Sequence, residues 1–167
     1  MKRLLEQLRE DYPIIQFVHG DAFYWSPIGR KVTYDASSQQ PGIATWTLLH
    51  EVSHGILGHT QYQSDFELVK LEVEAWSQAE KLAKHYDIVI NHDHIQDCLD
   101  TYRDWLHRRS TCPTCGVISM QKDQKSYQCL NCNTNWQVSS SRFCRPYRRR
   151  ALAQKNREQV LPGFHLN

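Results

Sequence analysis

Apolar positions along the chain fall into stretches of helical period and stretches of strand period. Residues 1–11 carry Leu4, Leu5 and Leu8 at helical spacing, which predicts a short helix. Residues 14–18 read as a strand. Residues 23–26 and 31–35 flank Pro27, Ile28 and Gly29, a β-hairpin signal. Residues 36–42 predict a loop ending in a Pro41-Gly42 turn. From 43 to about 59, Leu48, Leu49, Val52, Ile56 and Leu57 describe the buried face of a helix closed near Gly58. After a polar loop, Ser64 or Asp65 can cap a second long helix over about 66–86. Its apolar positions are Leu68, Leu71, Val73, Ala75, Trp76, Ala79, Leu82 and Ala83. A third helix over 93–108 puts Ile95, Cys98, Leu99, Tyr102, Trp105 and Leu106 on one side. A cysteine-rich segment follows, and no internal repeat is present. The pattern predicts an α+β protein with a small appended module.

Composition narrows the class. The chain has 167 residues, 40% hydrophobic and 23% charged, ordinary values for a globular protein. No stretch approaches the roughly 18 to 20 apolar residues of a membrane span, and the first residues lack a signal-peptide core. A membrane protein, a collagen, a coiled-coil rod and a mostly disordered chain are excluded. The expected location is the cytoplasm, with no membrane partner. The net charge of +2 conceals an asymmetry: residues 1–107 sum to −7 and residues 108–167 to +9. Such a split suggests two parts with different partners. The acidic part suits an enzyme domain. The basic part is either a solvated tail or a surface for nucleic acid or an acidic protein.

The predicted helix over 43–59 contains His50-Glu51-Val52-Ser53-His54, an H-E-x-x-H motif. One helical turn separates the two imidazoles, so both project from one side and can hold one metal ion. Zinc held by neutral imidazoles keeps its positive charge and brings the pKa of a bound water towards about 7. Glu51, beside the first histidine, can take that proton and deliver it to a leaving amine. A catalytic zinc takes a third protein ligand and leaves one position open. Glu74, on the next predicted helix, is the first candidate. Glu72 lies about 200° around that helix from Glu74, so the two cannot both face the metal. His59, His85, His92 and His94 are the histidine candidates. The longer pattern H-E-x-x-H-x-x-G-x-x-H fails, because Leu57 and Thr60 stand where glycine and histidine are required.

The stretch from His50 to Ala83, with Leu57-Gly58-His59 and Glu72-Val73-Glu74-Ala75 followed by Ala79, resembles the ImmA/IrrE-type zinc metallopeptidases, a gluzincin-like group. The resemblance covers about residues 30–86. It implies a zincin-like domain, with a small sheet or hairpin packed on the H-E-x-x-H helix and further helices. It carries over His50 and His54 as zinc ligands, Glu51 as catalytic acid and base, and Glu74 as third ligand. It also implies a protein substrate bound along an edge strand, in many members a helix-turn-helix repressor. Trp76 departs from the small polar residue expected at that position and implies different core packing.

Cys112-x-x-Cys115 and Cys129-x-x-Cys132 form two C-x-x-C pairs separated by 13 residues. This spacing points four thiolates at one tetrahedral site and reads as a structural zinc ribbon. Residues 117–120 and 126–128 read as its strands. Trp136 and Tyr127, read as exposed, and the arginines at 142, 145 and 148–150 are candidates for contact with nucleic acid. Arg148, Arg149 and Arg150 begin a stretch expected to be helical or disordered. Cys98 reads as a core residue and Cys144 as a bystander.

The expected organisation is a zincin-like metallopeptidase domain over 1–108, a zinc ribbon over 109–138 and a basic tail over 139–167, with one catalytic and one structural zinc. The leading function is a zinc endopeptidase acting on a protein substrate. One alternative is a SprT-like protease acting on protein–DNA crosslinks, which would use a third histidine. Another is an inactive, metal-stabilised nucleic-acid-binding adaptor.

Overall fold

The first helix, α1 (Lys2–Asp11), buries Leu4, Leu5 and Leu8. It stops where Tyr12 precedes Pro13, because the proline ring disfavours a helical residue before it. Three short strands follow: β1 (Gln16–His19), β2 (Tyr24–Ser26) and β3 (Lys31–Tyr34). The expected hairpin forms, with β2 antiparallel to β3, but β1 also pairs with β3 and runs parallel to it. The order β1-β3-β2 leaves β2 at an edge. Val32, at the centre of β3, is fully buried.

Three long helices complete the first unit: α2 (Pro41–Leu57), α3 (Asp65–His85) and α4 (His92–Ser110). The Pro41-Gly42 pair does not form the expected turn outside α2. Pro41 occupies its first turn, where its missing N–H costs nothing and its fixed φ suits a helix. Gly58 ends α2 in the left-handed conformation, φ 68°. Its N–H donates to the Gly55 carbonyl, and the His59 N–H donates to the His54 carbonyl. That pair of bonds is a Schellman closure. Ser64 caps α3 by accepting from the Glu67 N–H, an S-x-x-E signature.

The core of this unit joins Leu4, Leu5, Leu8, Ile15 and Val32 to Leu48, Leu49 and Val52 of α2, to Trp76, Ala79, Leu82 and Ala83 of α3, and to Ile95 and Leu99 of α4. One buried ion pair ties α3 to α4. Arg109 Nε donates to Asp65 Oδ2 at 2.6 Å and Nη2 to Oδ1 at 3.2 Å. The guanidinium lies 4.5 Å over the Trp105 ring. The pair joins the first turn of α3 to the last turn of α4.

The structure, a computed structural model, describes residues 1–139 and 148–150. Arg142, Cys144, Arg145 and the segment beyond 150 lie outside the described residues. The chain divides into two compact units, Met1–Ser110 and Thr111–Asn167. The second unit is one antiparallel sheet, β4 (Met120–Asp123), β5 (Ser126–Gln128), β6 (Asn135–Val138) and β7 (Arg148–Arg150), in that order. Arg148, Arg149 and Arg150 therefore form a strand paired with Val138, Gln137 and Trp136, not a helical or disordered segment. The pairing partner β6 supplies the order that the charge run alone does not encode. No described helix is long and apolar enough to cross a membrane.

Breaking a buried ion pair by neutralising one member costs about 3–5 kcal/mol. Asp65→Asn is therefore expected to destabilise the first unit by about that amount, measured by urea unfolding of the full chain. A loss below about 1 kcal/mol would mean that the pair behaves as a solvent-screened contact.

Candidate functional site

His50 and His54 sit one turn apart on the buried face of α2, and both point at α3. Three atoms converge there. His50 Nε2 lies 3.1 Å from His54 Nε2 and 3.1 Å from Glu72 Oε2, and His54 Nε2 lies 3.8 Å from the same oxygen. All three side chains are buried or nearly so. For ligands bound at about 2.0–2.2 Å in tetrahedral geometry, neighbouring ligand atoms lie about 3.3–3.6 Å apart. The observed triangle has the size of one face of such a tetrahedron. Two imidazole nitrogens and a carboxylate oxygen cannot all face one another as acceptors without a cation. One proton bridges one pair, whereas a divalent ion satisfies all three. The donor set fits zinc, with a fourth position left for water or substrate.

The third member is Glu72, which corrects the expectation of Glu74. The buried stripe of α3 runs through Glu72, Ala75, Trp76, Ala79, Leu82 and Ala83, a spacing of three and four residues that puts Glu72 in line with the core. Val73 is off that stripe and 42% exposed. Glu74 lies about 200° around the helix from Glu72, with its side chain 43% exposed, 3.6 Å from His59 Nε2 and 3.6 Å from Lys70 Nζ. The histidine candidates do not enter the triangle either. His85 faces Asp11 at 3.9 Å, His92 lies beside Gln96, and His94 packs against Trp46 and Trp76 and meets Cys98 Sγ at 3.6 Å. Cys98 is half-buried at the margin of the core. His59 reaches His54 from the far side, Nδ1 to Nδ1 at 2.8 Å.

Electrostatics agree with this arrangement. Burial pushes the Glu72 carboxyl up, but hydrogen bonds and charge from His50 and His54 outweigh it and hold the group well below the usual carboxylate range. Glu72 is thus an anion enclosed by imidazoles. His59 is lowered, mainly by burial and then by neighbouring His54, with Glu74 and Glu72 opposing. Trp76 stacks on the His50 ring at 4.3 Å between centroids, so the residue that departs from the resembled pattern forms a wall behind one imidazole.

Glu51 is held by the sheet. The backbone N–H of Trp25, on edge strand β2, donates to Glu51 Oε2 at 2.7 Å. The Trp25 indole N–H donates to the His59 carbonyl at 2.8 Å. A Cβ on Gly55 would come within 2.9 Å of both the Trp25 ring and Ile15, so glycine is what lets β2 approach the helix this closely. Trp25 was not singled out from the sequence. An isolated tryptophan in a strand reads as a core residue, and its backbone bond carries no side-chain signature.

The four ribbon cysteines converge at a second centre. Cys112 Sγ lies 3.6 Å from Cys132 Sγ, and Cys115 Sγ lies 3.5 Å from Cys129 Sγ. Four thiolates at about 2.3 Å from zinc stand about 3.8 Å apart, so this set fits a closed structural site. The Ser119 hydroxyl and the backbone N–H groups of Cys132 and Asn131 lower the Cys129 thiol to about 6. Tyr127 and Trp136 are not the exposed stacking platform expected. They are 1% and 0% exposed and stack on each other at 5.5 Å. With Val138, Cys112, Cys129 and Cys132 they form the ribbon's own core, since so small a sheet has little else to bury.

Chelation is expected to unfold the ribbon while leaving Met1–Ser110 folded, because a small metal module gains its folding energy from the ion. Two-dimensional NMR of the chelated full chain would show collapsed ribbon signals beside dispersed signals from the first unit. Ribbon zinc should be retained at pH 7 and lost only below about 6 on acidification, because protons must displace the ion from thiols such as Cys129, already lowered to about 6 without metal. Ribbon signals that stay dispersed without metal would contradict the first expectation, and zinc lost above about pH 6 the second.

Comparison with known proteins finds no matching family model, no matching curated protein and no matching solved structure.

Proposed function

We propose that the chain is a zinc-dependent endopeptidase of the gluzincin type, with a zincin-like first unit and a structural zinc ribbon. The observation that carries this reading is the convergence of His50 Nε2, His54 Nε2 and Glu72 Oε2, with Glu51, the next residue after His50 on α2, held by the Trp25 N–H. His50, His54 and Glu72 would hold the catalytic zinc; Cys112, Cys115, Cys129 and Cys132 would hold the structural one. When bound, the catalytic ion polarises a carbonyl and lowers the pKa of a water.

The chain's own groups supply the rest. Glu51 is tied through Oε2, which leaves its other oxygen to accept the proton of the attacking water. The water oxygen bonds to the scissile carbon, the C–N bond breaks, and Glu51 returns the proton to the departing amine. Strand β2 is an edge. In an antiparallel strand the N–H and C=O of one residue point to the same side. The Trp25 carbonyl therefore shares the side on which its N–H meets Glu51, and it is the acceptor an extended substrate would use in adding beside β2.

A carboxylate as third ligand favours this reading over a SprT-like crosslink protease, which would need a histidine there. An adaptor would have no use for a carboxylate anchored next to the metal ligands. The resemblance to ImmA/IrrE-type peptidases makes a helix-turn-helix repressor the substrate class to try first. The basic ribbon, whose fourth strand is Arg148–Arg150, is the surface for docking a protein substrate or nucleic acid.

Zinc content per chain tests the ligand set. The wild type and Glu74→Ala should each carry two zincs, and Glu72→Ala should fall towards one. Glu51→Gln should keep two zincs and lose about 10²- to 10⁴-fold in peptide hydrolysis, the usual contribution of a general acid–base group. Two zincs retained by Glu72→Ala, or full activity in Glu51→Gln, would overturn the assignment.

A further inference from the structure

His59 is delivered to His54 by the way α2 ends. In a Schellman closure the residue after the left-handed glycine folds back over the residue five positions before it. Here Gly58 is that glycine, His59 the residue after it, and His54 the one it covers. The usual contact at this position is apolar. In this chain it is a ring-to-ring hydrogen bond, Nδ1 to Nδ1 at 2.8 Å. The His59 side chain is only 9% accessible, and the Trp25 indole fixes its backbone through the carbonyl.

Two nitrogens joined by one hydrogen bond share one proton, so the bond fixes both tautomers. His54 points Nε2 at Glu72 and His50, so Nε2 must be bare to bind a cation and the proton sits on Nδ1. His54 Nδ1–H then donates to His59 Nδ1, and the His59 proton is placed on Nε2, facing the Glu74 carboxylate at 3.6 Å. The two metal-facing imidazoles are unequal in this respect. His50 Nδ1 is buried with no hydrogen-bond partner among the described residues.

We propose that His59 is a positioning residue of the metal centre: its ring accepts the His54 Nδ1–H, fixing the tautomer and rotation that present His54 Nε2 to the ion. Glu74 stands behind it as the outer carboxylate, which gives that residue a place outside the ligand set. This inference rests on the zinc-site reading proposed above. Supporting partners of this kind are worth about 10- to 100-fold in metal affinity.

The test is chelator competition for zinc on the full chain, comparing wild type, His59→Leu and His59→Asn. Circular dichroism checks that each variant keeps its helices. His59→Leu should weaken one of the two zincs by about 10- to 100-fold and leave the ribbon zinc unchanged. His59→Asn carries an acceptor oxygen where Nδ1 stood and should recover most of the loss. Equal weakening in both variants would mean that the ring matters only for packing and would overturn the proposal. So would wild-type affinity in His59→Leu. A wild type holding only the ribbon zinc would overturn the zinc-site reading itself, and this inference with it.

Discussion

The first unit is organised around a polar triangle at an apolar seam. Helices α2 and α3 pack through Leu48, Leu49, Val52, Ala75, Trp76 and Ala79, and His50, His54 and Glu72 interrupt that contact. Burying two imidazoles and a carboxylate costs free energy unless their polar atoms are satisfied. Protons on the imidazoles can satisfy these contacts only pair by pair, whereas the three atoms face a common centre. The arrangement makes physical sense as a site for a cation that all three atoms can share. The surrounding contacts serve the same geometry: Trp76 stacks on one imidazole, His59 bonds the other, and Trp25 holds Glu51.

This frame explains details that look unrelated along the chain. Gly55 admits the Trp25 ring against the motif helix, and Gly58 turns the chain so that His59 folds back. The H-E-x-x-H spacing aims two rings at one point, while the two glycines bring in the groups that hold the rings and the carboxylate. The second unit solves a different problem. It has too few residues for a large core, so one stacked pair of aromatic rings, Val138 and the cysteines Cys112, Cys129 and Cys132 supply its interior.

Much of this was legible in the sequence, for reasons that also mark where legibility ends. Helices with a clear apolar face and the turn signals at Gly29 and Gly58 predicted the elements of the first unit within a few residues, while β6 was not read and β4 lies three residues beyond the strand expected at 117–120. His50, His54 and the four cysteines follow from short-range spacing, which a helix or a knuckle converts directly into proximity. Glu74 was preferred to Glu72 for its place on the next helix and from the resemblance, neither of which fixes which face of α3 meets α2. The stripe through Ala75, Trp76, Ala79 and Ala83 alone points to Glu72. The parallel pairing of β1 with β3 and the strand at Arg148–Arg150 depend on partners distant in sequence. Tyr127 and Trp136 read as exposed because their local surroundings are polar; only the sheet pairing that places them face to face buries them.

The central claim is that one ion shares His50, His54 and Glu72. The most direct measurement is anomalous diffraction at the zinc edge from crystals of the zinc-loaded full chain. The account predicts one peak among the four cysteines and a second within about 2.0–2.2 Å of His50 Nε2, His54 Nε2 and a Glu72 carboxylate oxygen. A second peak held by Glu74 or a third histidine in place of Glu72, or no peak at the α2–α3 seam, would contradict it.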